Sequence, residues 1–328
     1  MRVSLKIKRF DATKGRVSAW SMYALDAQPG DPVLVCLDRI KDEQDGTLTF
    51  RENCRNAICG SCAMRINGKA ALACKTHVGD VCDGKNPVLI EPMSNMSVMK
   101  DLVVDMDPFW KSLRDVRPYL LPDEARLPQK EFIQPPPQRD LLSEVEKCIM
   151  CGACFSDCEA RSVEPRFLGP AALAKAYRYL ADSRDAQHFT RLKEYNDQHA
   201  IWDCTHCFQC NEVCPVGVKP LTQILKLQRH AMDAGLRSSR GAKHHRAMVD
   251  IVVRKGILDE NALAIKSVFP DPLGMLGLLP VGLRMLRANK MPPLIQHKLD
   301  SRIELSHIAG AARKEFSEDP HGERASDF

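Results

Sequence analysis

Residues Cys148-Ile149-Met150-Cys151-Gly152-Ala153-Cys154-Phe155-Ser156-Asp157-Cys158 space four thiols by two, two and three residues. Residues Cys204-Thr205-His206-Cys207-Phe208-Gln209-Cys210-Asn211-Glu212-Val213-Cys214 repeat that spacing, closed by Pro215. In paired runs of this kind, each run gives three ligands to one iron–sulfur cluster and its fourth to the other. The spacing therefore assigns Cys148, Cys151, Cys154 and Cys214 to one [4Fe–4S] cluster. Cys158, Cys204, Cys207 and Cys210 go to a second. Crossed ligation makes the two runs one unit, and two such spacings do not arise by chance.

Upstream, Cys54, Cys59, Cys62 and Cys74 follow the plant-type [2Fe–2S] spacing. Gly60 and Ser61 allow backbone amides to point at the sulfurs, where hydrogen bonds raise the potential. Gly68 is a hairpin turn that returns the chain to Cys74. The alternative is structural zinc, which favours paired Cys-x₂-Cys knuckles rather than this spacing. Of the 14 cysteines, two remain. Cys36, among Val33, Val35 and Leu37, reads as a core residue, and Cys82 as a bystander. His77, His206, His244 and His245 have no ligand spacing of their own, although His206 sits within a cluster loop.

Composition fits these assignments. In 328 residues with 44% hydrophobic content there is enough apolar material for ordinary cores. The N-terminus alternates apolar and charged residues without an apolar signal core, which points to a cytoplasmic chain with reduced thiols. Export with a signal-bearing partner is the alternative. No stretch approaches the roughly 20 apolar residues of a membrane span. The net charge of +5 is dispersed and gives no case for nucleic acid.

The expected fold class is α+β. Residues 1–105 read as a β-grasp [2Fe–2S] domain: Val3, Leu5 and Ile7 alternate with polar residues as in a strand, Ser18 to Leu25 pairs with it, and Asp31 to Lys41 is helical. Residues 106–140 are a proline-rich linker, where Pro135 to Pro137 cannot be helix interior. Residues 141–238 are an α-helical two-cluster ferredoxin domain, with helices over Leu141 to Met150, from Pro170 to about Leu180, and from Pro220 to a Gly235 cap. Residues 239–328 form an extension. Within it, Arg240 to Glu260 reads as a basic amphipathic helix. Phe269 to Ile295 reads as an irregular apolar segment facing a partner subunit or, alternatively, a membrane surface. Arg313 to Phe328 reads as a disordered tail.

Several stretches closely resemble the iron–sulfur subunit of succinate dehydrogenase and fumarate reductase. They are Ile40 to Asp45, Thr47 to Arg51, Cys59-Gly60-Ser61-Cys62-Ala63-Met64, Asn67-Gly68, Leu72-Ala73-Cys74, Gly169 to Leu173 and Ala176 to Asp185, spread over roughly residues 1–235. The resemblance implies an electron-transfer chain with no substrate chemistry of its own. It implies a FAD-containing flavoprotein partner that interconverts succinate and fumarate, and a third, cysteine-rich or membrane-anchoring subunit that links the chain indirectly to quinone. It also implies attachment at the inner face of the cell membrane through those partners.

Two departures matter. Most members lack a cysteine at the place of Cys207 and hold a [3Fe–4S] cluster on the counterparts of Cys158, Cys204 and Cys210; a [3Fe–4S] cluster on these three residues, with Cys207 unused, is the alternative here. Glu159-Ala160-Arg161-Ser162-Val163 and Thr205 also stand where the common type carries its quinone-pocket tryptophans and histidine. These differences resemble the branch with a cysteine-rich third subunit, and no quinone ligand carries over. The alternatives are a thiol- or heterodisulfide-linked fumarate reductase and a regulatory iron–sulfur sensor. No DNA-binding or signalling module supports the sensor.

Overall fold

The computed structural model describes residues 1–10, 19–197, 199–293 and 296–317. Strand β1 (Arg2–Arg9) buries Val3, Leu5 and Ile7 completely and turns Ser4, Lys6 and Lys8 outward, the two-residue alternation of a sheet with one covered face. It pairs antiparallel with β2 (Ala19–Asp26), with Leu5 opposite Tyr23. The residue at 18, which opens the expected second strand, lies outside the described residues.

Helix α1 (Val33–Glu43) covers the sheet with Val33, Leu34, Cys36, Leu37 and Ile40, so Cys36 is a core residue, as expected. Strands β3 (Ala63–Ile66) and β4 (Lys69–Leu72) form a hairpin, and β5 (Val88–Glu91) runs parallel to β1 and antiparallel to β3. The five-stranded order is β2-β1-β5-β3-β4. Asn67 and Gly68 both take positive φ (49° and 83°), the Asn-Gly turn that suits a two-residue hairpin. A short helix α2 (Val78–Val81) and a small ribbon of β6 (Val98–Lys100) and β7 (Val103–Val104) complete this region.

Helices follow: α3 (Asp107–Asp115), α4 (Pro136–Asp140), α5 (Ala153–Ser156), α6 (Glu159–Val163), α7 (Pro170–Leu180), α8 (His188–Tyr195), α9 (Gln209–Glu212) and α10 (Pro220–Asp233). The molecule is thus mixed α+β, with the sheet first and helices after. Pro135 to Pro137 open α4 rather than sit inside it, because the missing proline amides lie where a helix needs none.

The helix expected over Leu141 to Met150 is not there. Turns and a 3₁₀ segment at Val145–Lys147 replace it, with Leu142 and Val145 fully buried. Cys148 has extended backbone (ψ 116°), which a continuing helix would forbid.

Residues Met1–Arg191 and His199–Leu227 form one compact unit, and Leu192–Gln198 with Gln228–Phe328 a second. The sheet and the cysteine runs therefore share one body. Asn95 Nδ2 donates to the carbonyls of Phe155, Ser156 and Cys158 at 2.9–3.0 Å, and the Ala70 amide donates to Asp157 Oδ2 at 2.8 Å.

The second unit contains α11 (Arg240–Lys255), α12 (Glu260–Val268), α13 (Pro272–Arg287) and α14 (Arg302–Ser317). Here the expected irregular segment from Phe269 is corrected: Asp271 caps the Leu273 amide, Pro272 sits in the first turn, and the helix runs on through Pro280. Residues 294 and 295 of that segment lie outside the described residues. The expected disordered tail is also corrected in part, since α14 continues to Ser317; residues 318–328 lie outside the described residues. Among the described residues no helix is long and apolar enough to cross a membrane.

Candidate iron–sulfur sites

The first cysteine loop turns its amides inward. Asn56, Ile58 and Cys59 N–H donate to Cys54 Sγ at 3.4, 3.3 and 3.2 Å, Ala57 N–H to Cys74 Sγ at 3.2 Å, and Cys74 N–H to Cys62 Sγ at 3.5 Å. Left-handed backbone at Arg55, Ala57 and Gly60 aims them there. Hydrogen bonding from Ser61 and Cys54 holds the Cys59 thiol down at about 6, while burial pushes Cys62 up to about 12.

The two later runs fold alike. Met150 and Gly152 (φ 54° and 81°) and, at the same positions of the second run, His206 and Phe208 (φ 56° and 65°) are left-handed. Each pair turns the chain around its cysteines, and Gly152 and Phe208 then cap α5 and α9. This shared backbone is invisible to spacing alone, since glycine marks it in one run and phenylalanine in the other.

Cys148, Cys151, Cys154 and Cys214 line one cavity with apolar walls that include Ile149 and Val218. Burial pushes the Cys151 thiol up to about 11, and the neighbouring Cys148 and Cys214 sulfurs add to it. Cys154 is raised by burial and by the same group, with Cys210 also within electrostatic reach. Cys158, Cys204, Cys207 and Cys210 form the second set. Burial lifts Cys204 to about 11 and Cys210 to about 12, and both also feel Cys158 and Cys207. Cys207 belongs to this set although it is exposed. Hydrogen bonds thus link the cysteines of the first loop, one cavity gathers Cys148, Cys151, Cys154 and Cys214, and Cys158, Cys204, Cys207 and Cys210 lie within electrostatic reach of one another. Cys82 stands apart at the end of α2, half-buried.

Buried thiols with raised pKa values resist ionisation until iron draws off their protons. The amides aimed at sulfur stabilise negative charge there. Among the described residues no three His, Cys, Asp or Glu side chains close on one point as a single ion requires. A cluster interposes irons and sulfides, so its thiolates stand farther apart. The residues fit iron–sulfur clusters, whose chemistry is one-electron transfer.

The sets follow one another in series. Gly60 lies so close to the first run that a Cβ there would meet Cys151 Cβ at 2.7 Å and its Cα at 2.9 Å. Cys154 in turn lies within electrostatic reach of Cys210 of the second set.

Comparison with known proteins agrees with this layout. Residues 4–111 match a 2Fe-2S iron-sulfur cluster binding domain and residues 144–218 a 4Fe-4S dicluster domain. The fumarate reductase iron-sulfur subunit of Mycobacterium tuberculosis is 38% identical over 234 residues, 71% of this chain and 93% of that protein. Its counterpart from Escherichia coli O157:H7 is 35% identical over 222 residues, covering 68% and 90%. This chain belongs to the succinate dehydrogenase/fumarate reductase iron–sulfur subunit family. The succinate dehydrogenase iron-sulfur subunit of Coxiella burnetii is 34% identical over 229 residues, covering 69% and 95%. A chain of the Mycobacterium smegmatis Sdh1 complex in the apo form shares the fold, with a TM-score of 0.63 at 24% identity over 72% of this chain and 98% of that one.

As a family member the chain carries [2Fe–2S] and [4Fe–4S] binding domains, with cysteines for three clusters. Three contributors have no signature in the spacing. Asn95 clamps the carbonyls around Cys158, and Gly60 permits the loop contact. Arg161 lies buried on α6, where burial lowers the pKa of its guanidinium and the nearby Cys158 sulfur acts in the other direction.

Proposed function

We propose that this chain is the electron-transfer subunit of a succinate dehydrogenase or fumarate reductase complex. It passes electrons between a FAD-containing catalytic subunit and a quinone-side or cysteine-rich partner subunit. The observation that carries this reading is the unbroken order of cysteine sets, from the plant-type loop through Gly60 and Cys151 to the first run, and through Cys154 and Cys210 to the second. A linear order suits conduction between two partners.

In this reading Cys54, Cys59, Cys62 and Cys74 hold the [2Fe–2S] cluster, and Cys148, Cys151, Cys154 and Cys214 the first [4Fe–4S] cluster. Cys158, Cys204, Cys207 and Cys210 hold the last, also as [4Fe–4S]. The position of Cys207 among the other three supports four irons over three. The flavoprotein meets the β-grasp side, and a third subunit meets the helical side and the extension. The chain sits on the inner membrane face through these partners.

EPR-monitored redox titration of the purified complex tests the reading. A [4Fe–4S]²⁺ centre is silent when oxidised, whereas a [3Fe–4S] centre gives a signal in that state. The oxidised wild type should therefore show no signal from the last site, and Cys207→Ser should bring one up. An intense oxidised-state signal in the wild type would overturn the four-iron assignment. A complex purified without any flavoprotein would overturn the family role.

A further inference from the structure

We propose that Arg161 is the fixed counter-charge of the last cluster, placed to hold that cluster's reduction potential up. The inference rests on the reading that Cys158, Cys204, Cys207 and Cys210 hold this cluster. Arg161 lies three residues after Cys158, on the short helix α6 that leads away from that ligand.

The side chain is only 8% exposed. Its guanidinium lies over the Phe155 ring, 4.0 Å from the centroid, and Nη1 donates to the Phe167 carbonyl. Nε is buried without a hydrogen-bond partner. Asp105, Asp107 and Asp115 line the groove beside it, yet among the described residues no carboxylate forms an ion pair with Arg161. The group within its electrostatic reach is the Cys158 sulfur, which would carry negative charge as a cluster ligand.

This pocket is built for the side chain. Gly169 (φ 85°) faces both Phe155 and Arg161: a Cβ there would come within 3.2 Å of the ring and 3.7 Å of Arg161 Cδ. Asn95 fixes the entry to α6 by donating to the Cys158 carbonyl at 3.0 Å.

A buried guanidinium without an anion is costly, because desolvation is not repaid. Four thiolates around an iron–sulfur core supply negative charge at the right place, and the attraction strengthens when the core gains an electron. At low effective dielectric that attraction reaches across several ångströms. Cluster potentials follow net charge, hydrogen bonding and solvent access. Arg161 contributes the first. A cation at this place favours the reduced state and raises the potential.

The test uses the whole complex with Arg161→Met, Arg161→Gln and Arg161→Lys, titrated by EPR alongside iron and acid-labile sulfide analysis. With all clusters loaded, Arg161→Met and Arg161→Gln should lower the midpoint of the last cluster by about 59 mV or more, a tenfold change in the one-electron equilibrium. Arg161→Lys should keep it near the wild-type value, and the [2Fe–2S] midpoint should stay fixed in all three. An unchanged midpoint in a loaded Arg161→Met complex would overturn the proposal, as would an equal fall in Arg161→Lys. If Arg161→Met loses the cluster, retention in Arg161→Lys but not in Arg161→Gln supports the counter-charge, and where both retain it an unchanged midpoint in Arg161→Gln overturns it. A wild-type complex holding only two clusters would overturn the underlying ligand reading and the proposal with it.

Discussion

Gly60 sits where two loops would otherwise collide. Its left-handed backbone costs an alanine about 1–2 kcal/mol, and the Cβ would also strike Cys151. Gly68 (φ 83°) has the same backbone problem but open space around its missing Cβ. Gly68→Ala should therefore lose only the conformational part, whereas Gly60→Ala should lose more and also push the cluster loops apart. Thermal melts followed by visible absorbance read the first effect. Power saturation of the [2Fe–2S] EPR signal, which a nearby paramagnet relaxes, reads the second. Equal behaviour of the two variants would remove Gly60 from the contact. A paired prediction concerns the helix caps. Phe208→Gly relieves the left-handed strain and should raise stability by up to about 1 kcal/mol after glycine's greater unfolded entropy is subtracted. Gly152→Ala should lower it, because the new Cβ meets Met106 Cε at 3.3 Å. Thermal midpoints that moved in the same direction would sink this account. The cysteines were legible because ligand spacing is a local property of the chain. The contacts of Gly60 with Cys151 and of Asn95 with the Cys158 turn were not, because they join segments some 60 to 91 residues apart, and Arg161 was not, because its burial depends on how Phe155, Phe167 and Gly169 fold around it.

Elements came through where burial and local propensity agree. Strand β1, helix α7 and the Gly235 end of α10 follow their patterns, and Gly235 (φ 80°) accompanies a Leu236 amide donating to the Ala231 carbonyl. They failed where another demand took over, as at Leu141 to Met150, whose helical spacing gives way to presentation of Cys148. The Ala176 to Asp185 stretch shows a further limit, since resemblance pointed to it without a role. Asp185 and Arg191 are a fully buried ion pair at 2.8 Å. Arg191 also donates to the carbonyls of Arg117 and Tyr119 at 3.0 and 2.8 Å, and Asp185 accepts from the Leu121 amide at 3.0 Å. The pair latches the start of the proline-rich segment onto the helical region. Asp185→Asn should cost about 3–5 kcal/mol by leaving the guanidinium buried without its anion. Its cluster spectra at low temperature should match the wild type. A chemical melt within about 0.5 kcal/mol of wild type would exclude the latch, since that is the size of an ordinary surface change.

At the scale of the whole molecule, the two matched domains end at residue 218 and leave residues 219–328 outside them. Helix α13 exposes Leu273, Leu276, Leu279, Leu283 and Leu286, each more than half accessible. The sequence carries no acidic residue between Asp271 and Asp300, while Arg284, Arg287, Lys290 and Lys298 fall in that interval. At about 24 Å for 16 residues, the helix is shorter than a bilayer core of roughly 30 Å. An apolar face of this kind with cations at one end suits an acid-bearing protein groove, and in the proposed complex the third subunit is the partner to test for it. Because the leucines are exposed, Leu276→Glu with Leu279→Glu should leave folding within about 1 kcal/mol, at about 0.5 kcal/mol for each surface change. Affinity purification of this double variant should recover the flavoprotein and all three clusters but lose the third subunit. Recovery of the third subunit at full stoichiometry would move its docking site elsewhere on the chain.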